Sequence, residues 1–349
     1  MNVDSRASER TAKRGLRGSL IGRKLLMIAI IAALVSIGPI LPSGVNSLFI
    51  VAMIYSIYAM GYDVLFGFTN QASLGQSLFF GMGAYGVALS VIHLNAGFWA
   101  SLLIAAMASF VVALATGYIS VRLTEAYFVI TTAIFSSVFL LLAQDLTPLT
   151  GGTNGLSITV PPLAIGPVSF SVYDATTNYY LVLVLAVVVY LALARISRSP
   201  LGKIWIAIKE NEVRLGFLGY NVFRYKLAAF VVAGVLTGLS GALYAVRLRY
   251  VSADFLSLKW AVIPIVWSLL GGPGTLIGPI LGVVILVVFE YYVSAIWTNY
   301  LIVVGVIIIL VMRWSPKGII GVIRSGFGQT GANIFKLRSG SENISGAGD

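Results

Sequence analysis

The stretch RSPLGKIWIAIKENEVRLGFLGYNVFRYK, residues 198–226, lies between two apolar runs, 178–196 and 226–247. It holds six of the chain's twenty-three basic residues, with Glu210 and Glu212 among them. A polar island between greasy segments raises the question of which solvent surrounds the chain. Composition answers it. The chain is 58% hydrophobic and 10% charged, against about 25% charged for an average soluble domain. Its mean hydropathy is +0.95, and apolar runs near twenty residues recur from Leu25 to Met312. Such runs match the roughly 30 Å hydrocarbon core of a bilayer. The sequence therefore predicts an all-α, polytopic membrane protein.

Spans are expected near 25–42, 46–67, 73–93, 97–120, 125–144, 178–196, 226–247, 258–272, 274–293 and 296–313. The third is glycine-rich and the eighth is short, so full crossing and re-entry both fit them. Ten spans place both termini on one side, and the charges agree. Arg6, Arg10, Lys13, Arg14, Arg17, Arg23 and Lys24 precede the first run, while Arg313, Lys317, Arg324, Lys336 and Arg338 follow the last. The loop 197–225 falls on that same side, and the segment 145–178 outside it carries no Lys or Arg. Excess cation on the cytoplasmic side is the usual topological bias. The expected plan is a basic cytoplasmic segment 1–24, a transmembrane permease domain 25–321 and a polar tail 322–349. No small-x-small cleavage site follows the first run, so it reads as an uncleaved span rather than a signal peptide.

Composition also narrows function. Cysteine is absent and His93 is the lone histidine, so no metal centre is expected, and neither thiolate chemistry nor disulfides are available. The +11 net charge flanks apolar runs in short clusters, which is topology rather than a nucleic-acid surface. The strings GMGAYG (81–86) and GFGQTG (326–331) spell G-x-G-x-x-G, but one lies in an apolar span and the other in a polar tail. A dinucleotide site needs that string between a strand and a helix, and no P-loop occurs anywhere. No cofactor is expected. Asp63, Arg122, Glu125 and Glu290 fall within about two turns of span ends, leaving mid-span positions free of charge. Proton-coupled carriers usually bury such groups, which argues against proton coupling but not against a sodium site made of backbone carbonyls. With no ion gradient visibly coupled, the energy source is sought in another subunit.

Residues 198–226 carry helix signals. Ser199 with Pro200 makes an N-terminus, Glu210 and Arg214 sit at i,i+4, and Gly216 and Gly219 offer stops. Ile204, Ile208 and Leu215 share a face. The result is a short amphipathic helix on the membrane surface. A loop that only fixes orientation and a docking helix for a protein partner both account for it. Irregular chain is expected at 67–86, with Thr69, Asn70, Gln71, Ser73 and Gln76, and at 269–282, with Gly271, Gly272 and Gly274. Backbone released from helix at membrane depth must be covered by protein or line a wet cavity. These segments read either as turns and tight packing or as the lining of a solute path.

Taken in order, GYDVLFGFTNQASLGQSLFFGMGAYG (61–86), RLTEAYFVITTAIFSSV (122–138), LTGGTNGLS (149–157), the stretch from Ser199 to Ala245, and LLGGPGTLIGPILG (269–282) resemble a LivM-type permease. That family supplies membrane subunits of branched-chain amino acid ABC importers. The resemblance covers about residues 47–321. It implies that Pro200, Gly202, Lys203, Ala207, Lys209, Glu210, Asn211, Glu212, Gly216 and Gly219 form the segment that seats on an ATPase. Relatives often carry Arg where this chain has Lys203 and His where it has Gln76. It further implies a second homologous permease subunit, two cytoplasmic ATP-binding subunits and an external solute-binding protein. A non-enzymatic ABC importer permease in the cell membrane is the function implied. The alternative from the residues themselves is a self-sufficient channel or ion-coupled carrier for small polar solutes such as urea or amides.

Overall fold

The computed structural model describes residues 32–36, 38, 42–165, 168–294, 305, 313 and 318–321. Its main helices are α1 (Ser43–Thr69), α2 (Gln76–Leu94), α3 (Phe98–Ser120), α4 (Glu125–Asp145) and α5 (Ala175–Arg198). They continue with α6 (Pro200–Phe217), α7 (Val222–Leu248), α8 (Leu258–Gly271) and α9 (Ile277–Ser294). Seven of them, all except α6 and α8, are long and apolar enough to cross a membrane. Each falls on one of the expected spans between 46 and 293. The eighth expected span corresponds to α8, which has 14 residues with Pro264 inside it. A straight crossing takes about 20 residues, so α8 is too short for one. The expected first and last spans lie largely outside the described residues, as do 1–24 and 322–349.

Burial sorts the helices into an inner and an outer set. The spanning windows of α1, α2 and α7 are 78%, 67% and 67% buried, whereas those of α3, α4, α5 and α9 are only 22–33% buried. The exposed side of α3 is a row of Leu103, Met107, Val111, Leu114 and Tyr118. Lipid tails are as apolar as leucine, so nothing drives such a face inward. Packing among the inner helices instead depends on close backbone approach. A Cβ on Gly83 of α2 would lie 1.8 Å from the carbonyl oxygen of Gly238 on α7. Nearby aromatic rings lock the arrangement. Phe80 stacks on Tyr58 and, at 4.8 Å between ring centres, on Trp260, while the Tyr58 hydroxyl donates to the Trp260 carbonyl at 2.6 Å.

Two small sheets mark one end of the bundle. Strand β1 (Leu156–Ser157) pairs antiparallel with β4 (Tyr250–Val251), and β2 (Leu163–Ile165) pairs with β3 (Val168–Phe170). The GGTNG turn thus leads into a clasp between the 145–174 segment and the chain after α7. From there α5 runs 24 residues, about 36 Å at 1.5 Å per residue, before reaching α6. Segment 145–174 and α6 therefore sit at opposite ends of α5. Thr153 and Asn211 are both exposed. Single cysteines at these two positions, in a chain with none of its own, are expected to react with an impermeant thiol reagent from opposite sides of intact cells. Labelling of both from one side would refute this topology.

Candidate functional site

The surface helix α6 has a fixed inner side and a free outer side. Gly202, Trp205, Ile208 and Leu215 are buried, and the Trp205 indole donates to the Tyr225 carbonyl at 2.9 Å. A Cβ on Gly202 would meet the Ile196 and Ser197 carbonyl oxygens at 2.5 Å, so α6 turns tightly off the end of α5. Pro200 occupies the first turn as expected, but the Ser199 hydroxyl donates back to Ile196 at 2.6 Å instead of capping α6. The helix is also not continuous. Asn211 has extended backbone angles (φ −166°, ψ 99°), and its side-chain oxygen accepts from the Arg214 amide at 2.8 Å. It caps a second short helix. The kink separates Glu210 from Arg214, which do not form the expected ion pair; Glu212 pairs instead with Lys226 at the start of α7. Gly216 lies inside the helix, and Gly219, at φ +84°, follows its end.

On the outer side, Lys203, Glu210, Asn211 and Glu212 are exposed and Ala207 is half-buried; Lys209 is exposed along its stem, but its ammonium turns inward to α1. Between them stand Ile206, Val213, Phe217 and Leu218, the last two 88% and 71% exposed. These are exposed apolar side chains with charged ones near them in the chain. The charges and glycines of this segment were legible in the sequence. Its exposed apolar residues were not, because the pattern alone cannot tell which hydrophobic positions face inward across a kink.

The non-helical stretch 70–75 joins α1 to α2. Asn70, in the left-handed region at φ 58°, ends α1, and Gln71 donates its amide to the Leu65 carbonyl at 3.1 Å. Ser73 and Gln76 are fully buried. Amides of the connecting stretch and of the first turn of α2 are taken up by α4 and by Ser73. Leu74 donates to the Thr132 hydroxyl, Leu78 to that of Ser136, and Gly75 to that of Ser73. The Gln76 side-chain oxygen accepts from Thr237 of α7 at 2.9 Å, while its nitrogen is buried without a partner. Ser73 and Gln76 thus share a buried polar seam with Thr132, Ser136 and Thr237; Gln71, also buried, bonds Leu65 and Thr69 of α1, and Asn70 stands exposed beside it. Thr132 and Ser136 sit one helical turn apart, in a run that also holds Thr131 and Ser137. That spacing was the sequence signal for a second wall of the seam.

The second irregular segment, 272–276, joins α8 to α9. Gly272 and Gly274 have φ of 114° and 80°, conformations that glycine alone adopts readily. A Cβ on Gly271 would meet the Gly278 carbonyl oxygen at 1.7 Å. Asp63 of α1, completely buried, holds this turn. Its carboxylate accepts from the Gly274 amide at 2.8 Å, the Leu276 amide at 3.3 Å and the Ser268 hydroxyl at 3.2 Å. Both irregular segments therefore adjoin the same half of α1. Lys209 of α6 reaches that half too, donating to the Gly67 carbonyl at 2.7 Å.

With this geometry in view, the comparisons with known proteins are specific. Residues 44–312 match the family model described as the permease component of the branched-chain amino acid transport system, and the chain belongs to that family. It is 29% identical to the high-affinity branched-chain amino acid transport system permease protein LivM of Salmonella typhimurium. That match covers 88% of this chain and 77% of the relative. The Escherichia coli LivM gives the same identity and coverage. A probable LivM of Methanocaldococcus jannaschii is 24% identical over 75% of this chain and 77% of its own length. No solved structure gives a significant match. The chain is a multi-pass membrane permease and not an enzyme.

Two variants probe the local chemistry. Thr237→Val removes the donor to Gln76 and is expected to destabilise the protein by about 1–3 kcal/mol, the range for a buried polar group left unpaired. Adding Gln76→Leu is expected to restore most of that loss, read as thermal unfolding in detergent. Asn211→Ala removes the internal cap and is expected to lower α6 stability by about 1 kcal/mol, seen as faster amide exchange confined to residues 211–217.

Proposed function

We propose that this chain is the membrane-spanning permease subunit of an ABC importer for branched-chain or related amino acids. In this reading a second homologous permease completes the pathway. Two cytoplasmic ATP-binding subunits drive it, and an external solute-binding protein delivers the solute. The named relatives support the substrate class, since their names specify high-affinity branched-chain amino acid transport. The observation that carries the coupling role is the two-sided build of α6. Trp205 and Ile208 fix it to the bundle, while Ile206, Val213, Phe217 and Leu218 stand uncovered beside Glu210 and Lys203. A segment serving only to set orientation has no use for exposed phenylalanine. A self-sufficient channel leaves that surface without a partner.

The solute path in this reading runs along Asn70, Gln71, Ser73 and Gln76. The glycine turn of Gly271, Gly272 and Gly274 lies near its cytoplasmic mouth. Neutral hydrogen-bonding groups suit a zwitterion, which they can contact without the deep trap that a buried charge would create. Selection then falls mainly to the binding protein.

Phe217→Ser combined with Glu210→Lys tests the docking role, since both side chains are exposed. The variant is expected to insert normally and to lose at least about tenfold of the ATPase that co-purifies with it. Removal of a central aromatic and a charge reversal each take more than about 1 kcal/mol from an interface of this kind. Undiminished co-purification would rule out docking on this face.

A further inference from the structure

Asp63 is a completely buried carboxylate that none of the roles above uses. An ionisable group in a spanning helix carries a large insertion penalty unless it is partnered and oriented inward. Here every partner lies on the α8–α9 side: the Gly274 and Leu276 amides and the Ser268 hydroxyl. Gly67, one turn further along α1, packs directly on this junction. A Cβ there would lie 2.1 Å from the Asp63 carboxylate and 2.3 Å from the Gly274 nitrogen. The carbonyl of that same Gly67 accepts from Lys209. A Cβ on Gly274 would in turn come within 2.9 Å of the Gly67 oxygen and 3.6 Å of the Lys209 nitrogen. Asp63, Gly67, Gly274 and Lys209 thus form one compact junction among α1, α6 and the turn between α8 and α9.

We propose that Asp63 is a positioning residue of the transport cycle. It fastens the α8–α9 turn to the end of α1 that Lys209 grips, so that a displacement of α6 moves α1, the glycine turn and the 70–75 seam as one body. Two features favour this over a staple that only stabilises the fold. The junction includes Lys209, the α6 lysine whose ammonium donates to the Gly67 carbonyl of α1. The last turn of α1 leads straight into Asn70 and Gln71, with no flexible linker to absorb the motion. The two glycines remove side chains where they would hold the three elements apart. The inference rests on α6 being the ATPase-docking element.

The test uses the complete transporter in liposomes, with the second permease, the ATPase and the binding protein, and radiolabelled leucine as probe. Asp63→Asn keeps the size and one accepting oxygen but removes the charge. It is expected to assemble, to keep basal ATP hydrolysis, and to lower leucine uptake at least about fivefold, the low end of measured couplings between sites. ATP consumed per leucine is expected to rise. Adding Lys209→Met is expected to lower uptake no further than the more damaging single change, because both act on one link. If the two losses multiply, or if hydrolysis and uptake fall in step, Asp63 is merely structural and the inference is overturned. Should Asp63→Asn fail to assemble, Ser268→Ala replaces it in the same cycle and is judged by the same two criteria. Cross-linking of the ATPase to a cysteine at Phe217 reports docking separately. Its absence overturns docking and this inference together, whereas its presence with multiplicative losses overturns this inference alone.

Discussion

Backbone that leaves a helix where packed protein excludes water must find other partners for its N–H and C=O groups, and each one left unsatisfied carries a free-energy penalty. The arrangement of this protein follows from meeting that demand twice. At 70–75 the Leu74 and Gly75 amides are taken up by Thr132 and Ser73, and the Leu78 amide in the first turn of α2 by Ser136. At 272–276 amides are taken up by Asp63, together with the Thr275 hydroxyl that accepts from Gly278. Helices α4, α1 and α8 are thereby tied to the irregular segments through specific polar bonds, while glycine-mediated approach holds α1, α2 and α7 together. Polar groups set the registry and small residues permit the distance.

The same economy bears on function. The side chains that satisfy stray backbone in the seam are the neutral hydroxyls of Ser73, Thr132 and Ser136. In the proposed path such groups exchange partners with a passing solute at little net change in hydrogen bonding. Charge is kept away from the seam. Asp63 is spent on backbone amides and Ser268, and Lys209 on the Gly67 carbonyl. The surface helix has two sides: its inner residues lock to the bundle, and its outer ones carry the docking role proposed for it.

Solvent class, helix content and the position of nearly every long helix could be read from the sequence, because hydrophobicity over about twenty residues is a one-dimensional property. The polar interruption at 198–226 was equally visible, since charge in so apolar a chain is conspicuous. Pro200 and Gly219 marked its ends for local reasons of backbone geometry. The likeness of 61–86, 149–157 and 269–282 to one permease family lay in the same string of residues, and the match over 44–312 agrees with it.

What only the tertiary structure decided depends on partners distant in the chain. Asp63 could be placed near a span end, but its purpose depends on amides more than two hundred residues away. Glu210 and Arg214 had ideal helical spacing, yet the extended backbone of Asn211 turns them apart and Glu212 finds Lys226 instead. Gln76 stood out as a polar residue opening a span, and only packing gave it Thr237. Local sequence determines which groups need a partner. Which partner each one takes is settled by the close approach of α1, α2 and α7, a distance fixed jointly by glycines that no single window of sequence contains.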